Sequence, residues 1–318
     1  MLNAAAKPLV KLVERYLPDP YIFVLLLSIV VFAAAVLFEQ QNPLAVIGYW
    51  GDGFWGLLGF SMQMLLVLIT GFMLANTPLI TAILNRLAAL AKTAGQAIVL
   101  VTVISLIASW LNWGFGLVVG ALFAKALARR IKVDYRLLVA SAYSGFVVWH
   151  GGLAGSVPLT IATPNHFSEA QIGIIPTSET IFAGFNLLLV ALLFVAVPLV
   201  NYLMLPAKGD SVYVDPAKLQ PAQPLDTGST RPADKLENSL VLALLVGFAG
   251  IAYLVQYFAK GGTLNLNIVN FLFLFLAIVL HGTPRRLLHS LQQAIAGGAG
   301  IVIQFPFYAG IMAIMVQS

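Results

Sequence analysis

Long apolar runs, separated by short polar segments, fill most of the chain. Three of them, residues 53–85, 93–124 and 137–168, contain no Asp, Glu, Lys or Arg. A helix needs about 20 apolar residues to cross the hydrocarbon core of a bilayer, and each of these runs exceeds that length. The pattern therefore predicts an all-α polytopic membrane protein.

Most of the apolar runs have the pattern of single crossings. We expect ordinary spans at residues 20–38, 54–76, 174–205, 238–258, 264–281 and 295–316. Two other runs do not fit this scheme, because polar or helix-breaking residues interrupt them.

The first exception lies between Lys92 and Lys125, where Asn112 and its glycine neighbours interrupt an uncharged run. Two full crossings would need about 40 residues, more than the run contains. Lys and Arg near span ends stay on the cytoplasmic side, and a re-entrant hairpin over residues 96–130 leaves only Lys260 outside. We therefore predict a hairpin that enters and leaves on the cytoplasmic face, with a cytoplasmic N-terminus.

The second exception covers residues 137–163, which include Gly151, Gly152 and Gly155 followed by Pro158. Glycine and proline at this density break a helix. Irregular backbone at membrane depth is tolerated only where protein or a water-filled cavity covers it. The run is therefore predicted to be a discontinuous helix.

The domain organisation is predicted to be an inverted repeat. Residues 206–236 are polar and rich in Pro and Asp, as expected of a cytoplasmic linker between two halves. Four residues recur with the same spacing in the two halves: Pro43, Gly56, Gly59 and Gln63 correspond to Pro284, Gly297, Gly300 and Gln304. We expect a first membrane repeat at 1–205 and a partial second repeat at 237–318, an arrangement typical of secondary carriers.

Composition narrows the possible partners. The 318 residues are 60% hydrophobic and 9% charged, with a net charge of +5. The basic residues lie beside apolar runs, which favours lipid headgroups over nucleic acid as their partner. The absence of cysteine excludes disulfides and thiolate metal sites, and His166, His281 and His289 lack metal-ligand spacing. We expect neither a metal nor a cofactor.

The hairpin and the broken helix together predict an anion site. The second arm of the hairpin begins at the tip, so its first N–H groups point toward mid-membrane, and a second helix start near Ser156 would face the same pocket. Helix starts bind anions, and in carriers they hold substrate carboxylates. The predicted residues for a small carboxylate substrate are Asn112, Trp113, Gly114, Gly116, Ser144, Gly152, Ser156 and Thr160.

Other interpretations of these residues stay open. For the hydroxyls and Asn112 the alternative is interhelical hydrogen bonding, which is the commoner role of such residues in helix bundles. Four aromatic residues could enclose a short aliphatic tail or serve as plain packing residues or interface anchors: Trp110, Trp113, Phe115 and Trp149. His150 is the only ionisable side chain deep in its segment, so it is either proton-linked or a neutral histidine bonded to a carbonyl. A membrane-embedded enzyme that uses His150 is a weaker alternative, because no nucleophile–base arrangement is visible.

The chain resembles the short-chain fatty acid transporters of bacterial acetoacetate and butyrate catabolism. The resemblance is carried by five segments: Leu17-Pro18-Asp19-Pro20, Trp50-Gly51-Asp52-Gly53-Phe54-Trp55, Asn112-Trp113-Gly114-Phe115-Gly116-Leu117-Val118-Val119-Gly120, Ala162-Thr163-Pro164 and Gln304-Phe305-Pro306-Phe307-Tyr308-Ala309-Gly310. It implies an inner-membrane carrier for short-chain fatty acids, with the inverted-repeat fold of the ion transporter superfamily.

The resemblance leaves several properties undecided. It does not identify the coupling ion, H⁺ or Na⁺, and homo-oligomerisation stays open. Members of the family continue beyond the position of Ser318 into a second hairpin, so we expect this chain to be truncated at its C-terminus. A non-transporting remnant or subunit of such a carrier is therefore the main alternative function.

Overall fold

The computed structural model describes residues 15–219 and 231–318, together with residues 8, 10, 12 and 13. Within these residues the chain consists of α-helices, short 3-10 turns and loops, and it has no β-strand. Seven of the described helical segments are long and apolar enough to cross a membrane. The prediction of an all-α polytopic membrane protein is therefore confirmed.

Fourteen described α-helices follow one another along the chain. They are α1 (Pro20–Leu37), α2 (Pro43–Gly53), α3 (Leu58–Ala75), α4 (Pro78–Ala88), α5 (Ala94–Leu111), α6 (Trp113–Ala128), α7 (Tyr135–Ser144), α8 (Ser156–Ile161), α9 (Glu169–Ile172), α10 (Gly184–Leu203), α11 (Pro232–Glu237), α12 (Leu240–Ala259), α13 (Leu266–His281) and α14 (Pro284–Gln317).

The chain divides into two compact units, and α3 and α14 each contribute to both of them. The first unit comprises the described part of residues 3–65 together with residues 295–318. Its helices α1 and α2 begin at Pro20 and Pro43, where the missing N–H costs least. Ala35, Val46 and Ile314 form the buried centre of this unit.

The second unit covers residues 66–294 and contains a helical hairpin in the region where a re-entrant hairpin was predicted. Its two arms are α5, with 18 residues, and α6, with 16, and Asn112 alone joins them. At 1.5 Å per residue these arms are about 27 and 24 Å long. The arms run antiparallel, since Gly116 lies directly against Ser109 and Gly120 against Ser105.

The second unit also contains the interrupted helix predicted at 137–163. Helix α7 ends at Ser144, a 3-10 helix follows over Gly145–Gly151, and α8 begins only at Ser156. Pro158 lies in the first turn of α8, as expected. The structure thus breaks the helix where the glycines predicted a break.

Two helix boundaries differ from the expected spans. Helix α10 begins at Gly184 and not at 174, because residues 173–183 form turns around Gly173, whose φ is 68°, and Pro176. Helix α14 begins at Pro284 and not at 295, since its first turns carry charged residues that hydropathy does not assign to a span.

The structure describes only part of the predicted linker at 206–236, because residues 220–230 lie outside the described residues. The division into two inverted repeats stays a prediction.

Candidate functional site at the hairpin tip

Asn112 forms the tip of the hairpin and caps both of its arms. Its N–H donates to the Ala108 carbonyl at 3.0 Å, which ends α5, and its Oδ1 accepts from the Phe115 N–H at 2.9 Å, which begins α6. The side chain is fully buried. Because Oδ1 serves as the cap, the amide nitrogen Nδ2 is left to point elsewhere, and it has no partner in the described part of the chain.

Helix α3 packs closely against this tip. A Cβ atom on Gly114 would lie 2.7 Å from the Leu68 Cα, and one on Gly71 would lie 2.7 Å from the Asn112 Oδ1. Real Cβ atoms do not approach neighbours this closely, so both positions require glycine. Gly114 therefore serves backbone packing, and α3 covers one side of the tip.

The broken segment packs on another side of the tip. The Leu153 N–H donates to the Trp110 carbonyl at 2.7 Å, and a Cβ on Gly152 would lie 2.8 Å from the Trp110 Cα. The Trp113 and Trp149 ring centroids are 5.7 Å apart. The broken segment and the end of α5 are thus in direct backbone contact beside the tip.

Five buried polar atoms at this junction lack a partner among the described residues. They are Ser109 Oγ, Asn112 Nδ2 and the indole Nε1 atoms of Trp110, Trp113 and Trp149. Buried polar groups in native proteins are nearly always hydrogen-bonded, so a group of unpaired N–H donors needs an explanation. Each of the four N–H groups can donate a hydrogen bond, and an anion is one kind of acceptor that they could bind.

Trp110 and Trp149 extend the predicted set of donors. Sequence reasoning treated them as walls for an aliphatic tail or as packing, and it did not use their N–H groups. The sequence could have indicated this role, because a tryptophan in an apolar segment carries an N–H group that usually has a hydrogen-bond partner when buried. The 4.8 Å separation of the Phe146 and Trp149 rings places an apolar surface next to these donors.

Three predicted site residues belong to other interactions. Ser144 accepts a hydrogen bond from Asn201 Nδ2 at 2.7 Å, and Asn201 also donates to Thr102. Thr102 lies ten residues before Asn112 in the sequence, which is about 15 Å from the tip along α5. Ser156 and Thr160 bond to each other within α8. Helix α8, whose start was expected to form the second anion site, has only six residues, so its dipole is small.

His150 lies at the edge of the aromatic surface. Its side chain is exposed, and its ring stacks on Trp149 with centroids 4.0 Å apart. By contrast, His281 is buried and its Nε2–H donates to the Met73 carbonyl at 2.8 Å. Among the described residues, no group of three or more His, Cys, Asp or Glu could hold a metal ion.

Asp134 caps the start of α7 and binds the segment that follows α10. Its carboxylate accepts from the N–H groups of Leu137 at 2.8 Å and Val212 at 2.7 Å, and it pairs with Arg136 at 3.2 Å. Burial alone would raise the pKa of Asp134, but these hydrogen bonds and the Arg136 charge outweigh it and hold the pKa below 3.8. The carboxylate is therefore ionised near neutral pH.

Comparison with known proteins identifies the family. Residues 1–318 match the family model described as "Short chain fatty acid transporter". Two relatives, from Escherichia coli (strain K12) and Haemophilus influenzae (strain ATCC 51907 / DSM 11121 / KW20 / Rd), are both named "Putative short-chain fatty acid transporter". The first is 41% identical over 326 residues, covering 100% of this chain and 73% of the relative. The second is 43% identical over 330 residues, covering 100% and 74%.

No solved structure matches the chain at a significant level. The family match and the apolar helices identify a multi-pass membrane protein whose partners are a small-molecule substrate and the lipid bilayer. The chain belongs to the short-chain fatty acid transporter family.

Proposed function

We propose that this protein is a secondary carrier that moves small monocarboxylates, such as butyrate or acetoacetate, across the bacterial inner membrane. The observation that carries the proposal is the set of buried N–H donors on Trp110, Asn112, Trp113 and Trp149, which have no partner among the residues that the structure describes. Membership of a transporter family supports transport rather than catalysis.

The donors suit a carboxylate that must be released again. A carboxylate accepts several hydrogen bonds, and donors fixed in a buried site replace the water that it loses. The residues at the tip, 109–116, and in the break, 145–156, include no Lys or Arg that would hold an anion permanently. Neutral donors therefore lower the cost of burial without forming a tight ion pair.

The aromatic surface beside the donors suits a short alkyl chain. Trp113, Phe146 and Trp149 lie with ring centroids 4.8–6.3 Å apart, and burial of each methylene against such a surface contributes about 0.8 kcal/mol. The substrate would thus lie with its carboxylate at the Asn112 amide and its tail along these rings.

The topology and the coupling belong to the same proposal. We place the N-terminus and the open end of the hairpin in the cytoplasm, because basic residues at 125–136 occupy the last turn of α6 and the segment after it. The transported acid would be accompanied by H⁺ or Na⁺. The proton-linked role of His150 stays a prediction.

Uptake by the purified protein in liposomes tests this proposal. Labelled butyrate should accumulate in liposomes that contain the full chain and not in protein-free liposomes. Unlabelled butyrate and acetoacetate should compete, whereas butyramide, which has the same length and no negative charge, should not. Absence of protein-dependent uptake under H⁺ and Na⁺ gradients alike would refute the proposal.

A further inference from the structure

An apolar groove lies between α5, the first arm of the hairpin, and the end of α10. Its volume is about 390 Å³, and Gly95, Val99 and Val103 are among the residues that line it. These three residues are four apart in the sequence, so they lie on one face of α5 over about 12 Å. The groove therefore offers an extended apolar surface that suits a hydrocarbon chain.

The groove is open on one side. Tyr202 of α10 and Leu90, which follows α4, both line it, and they are 48% and 65% exposed. A Cβ on Gly95 would lie 2.6 Å from the Tyr202 Cε2, so the ring lies directly over the α5 backbone. Both α5 and α10 are long and apolar enough to cross a membrane. The open side of the groove therefore faces lipid.

Lys92 is fixed beside the groove, just before α5 begins. Its N–H donates to Gln96 Oε1 at 2.8 Å, and Gln96 is one of the lining residues. The Lys92 side chain is exposed, and none of the ion pairs among the described residues includes it. A lysine at the end of a span extends its ammonium to the level of the lipid headgroups. One end of the apolar groove thus has a positive charge beside it.

The sequence around Lys92 favours an anionic occupant. Residues 53–133 contain six basic residues and no Asp or Glu. Basic pockets between membrane helices bind the headgroups of anionic lipids. A second copy of the chain in the same membrane orientation would bring two positively charged ends together, and this repulsion disfavours it as the occupant.

We propose that this groove binds one anionic phospholipid, with an acyl chain along Gly95, Val99 and Val103 and the phosphate beside Lys92. The acyl chain packs between α5 and the Tyr202 ring, so the lipid joins the hairpin arm to α10. The cytoplasmic leaflet supplies the lipid, an assignment that rests on the proposed topology. Binding itself does not depend on the proposed carrier function.

Lipid binding to the purified full chain in detergent can be measured by native mass spectrometry. The probes are phosphatidylglycerol, which is anionic, and phosphatidylcholine with the same acyl chains, which is zwitterionic. We expect one phosphatidylglycerol per chain, with a half-saturating concentration at least about fivefold lower than that of phosphatidylcholine. Glycerol 3-phosphate, which has the phosphate and no acyl chain, should not displace the lipid.

Two pairs of variants separate the headgroup contact from the groove. Lys92→Gln should raise the half-saturating phosphatidylglycerol concentration about fivefold and leave that of phosphatidylcholine unchanged. Lys260→Gln, at another exposed lysine, is the matched control. Val99→Phe should fill the groove and weaken the binding of both lipids about tenfold, whereas Val195→Phe, at a side chain of α10 that is 68% exposed, should not. If Val99→Phe does not fold, Val103→Phe provides the same test.

The results decide between this site and its alternatives. Equal binding of the two lipids by the wild type, or wild-type phosphatidylglycerol binding by Lys92→Gln and Val99→Phe, would overturn the proposal. Displacement by glycerol 3-phosphate would indicate a free phosphate site, and a lipid-free dimer that Val99→Phe abolishes would indicate a second copy of the chain. Either result would also overturn the lipid site. Absence of butyrate uptake would count against the carrier function alone, because lipid binding with the expected variant effects does not require transport.

Discussion

The Leu153 N–H donates a 2.7 Å hydrogen bond to the Trp110 carbonyl, and this bond joins the broken helix to the last turn of the first hairpin arm. The bond is possible because α5 ends at Leu111, so its last carbonyls have no partner within the helix. The contact brings the backbone of Trp110 to the broken segment that carries Trp149, whose ring centroid lies 5.7 Å from that of Trp113. The candidate site therefore depends on close backbone approach at this point.

Gly152→Ala should disrupt this junction. The added Cβ would lie 2.8 Å from the Trp110 Cα, so the two segments must separate, at a cost of about 1–3 kcal/mol. We expect butyrate uptake to fall at least about tenfold while the protein still inserts. Gly184→Ala is the matched control, because a Cβ there meets open space. Equal uptake by both variants would show that the junction does not support the site.

Removal of a single indole N–H should weaken substrate binding. Trp110→Phe or Trp149→Phe keeps an aromatic ring but loses a donor to the carboxylate, and a hydrogen bond to a charged group contributes about 1.5–3 kcal/mol. We expect the half-saturating butyrate concentration to rise about tenfold or more. Trp55→Phe, at a side chain that is 61% exposed, should leave it unchanged. Unchanged half-saturation in all three variants would exclude the indoles as ligands.

The sequence predicted the tip better than it predicted the pocket. The sequence around Asn112 indicated a helix end, because a polar residue and glycines interrupt an apolar run. The structure shows Asn112 as the N-cap of α6. Gly152 was expected to line the site, and the structure shows that it allows backbone contact with Trp110. Ser144 was assigned to the same pocket, and its hydroxyl accepts from Asn201, a contact that helical spacing alone does not reveal. The partner choices of buried polar groups follow from tertiary packing.

The stability of the folded protein should depend on pH through the ionisation of Asp134. Its folded pKa lies below the ordinary value of 3.8, so the stabilisation is fully present above that value and is lost as the pH falls through the folded pKa. In Asp134→Asn the amide cannot accept from both Leu137 and Val212, and we expect a loss of about 1–3 kcal/mol at neutral pH. Its unfolding temperature should also fall less than that of the wild type between about pH 5 and pH 3. Parallel pH profiles would contradict this assignment.

The hairpin topology can be tested by cysteine labelling, since the chain contains no native cysteine. Lys92 and Arg130 are exposed at the two ends of the hairpin. Lys92→Cys and Arg130→Cys should react with a membrane-impermeant maleimide only from the cytoplasmic side, in inverted vesicles and not in intact cells. Labelling of the two positions from opposite faces would refute the hairpin that returns to its own side.

The most direct test of the carboxylate site is butyrate uptake by Asn112→Asp. A carboxylate oxygen at this position keeps the cap on the Phe115 N–H, whereas the Nδ2 donor is lost and a negative charge can form. Asn42→Asp is the matched control, because Asn42 caps α2 through the same type of bond to Leu44. We predict that Asn112→Asp inserts normally and loses nearly all uptake, while Asn42→Asp transports like the wild type. Wild-type uptake by Asn112→Asp would contradict the account.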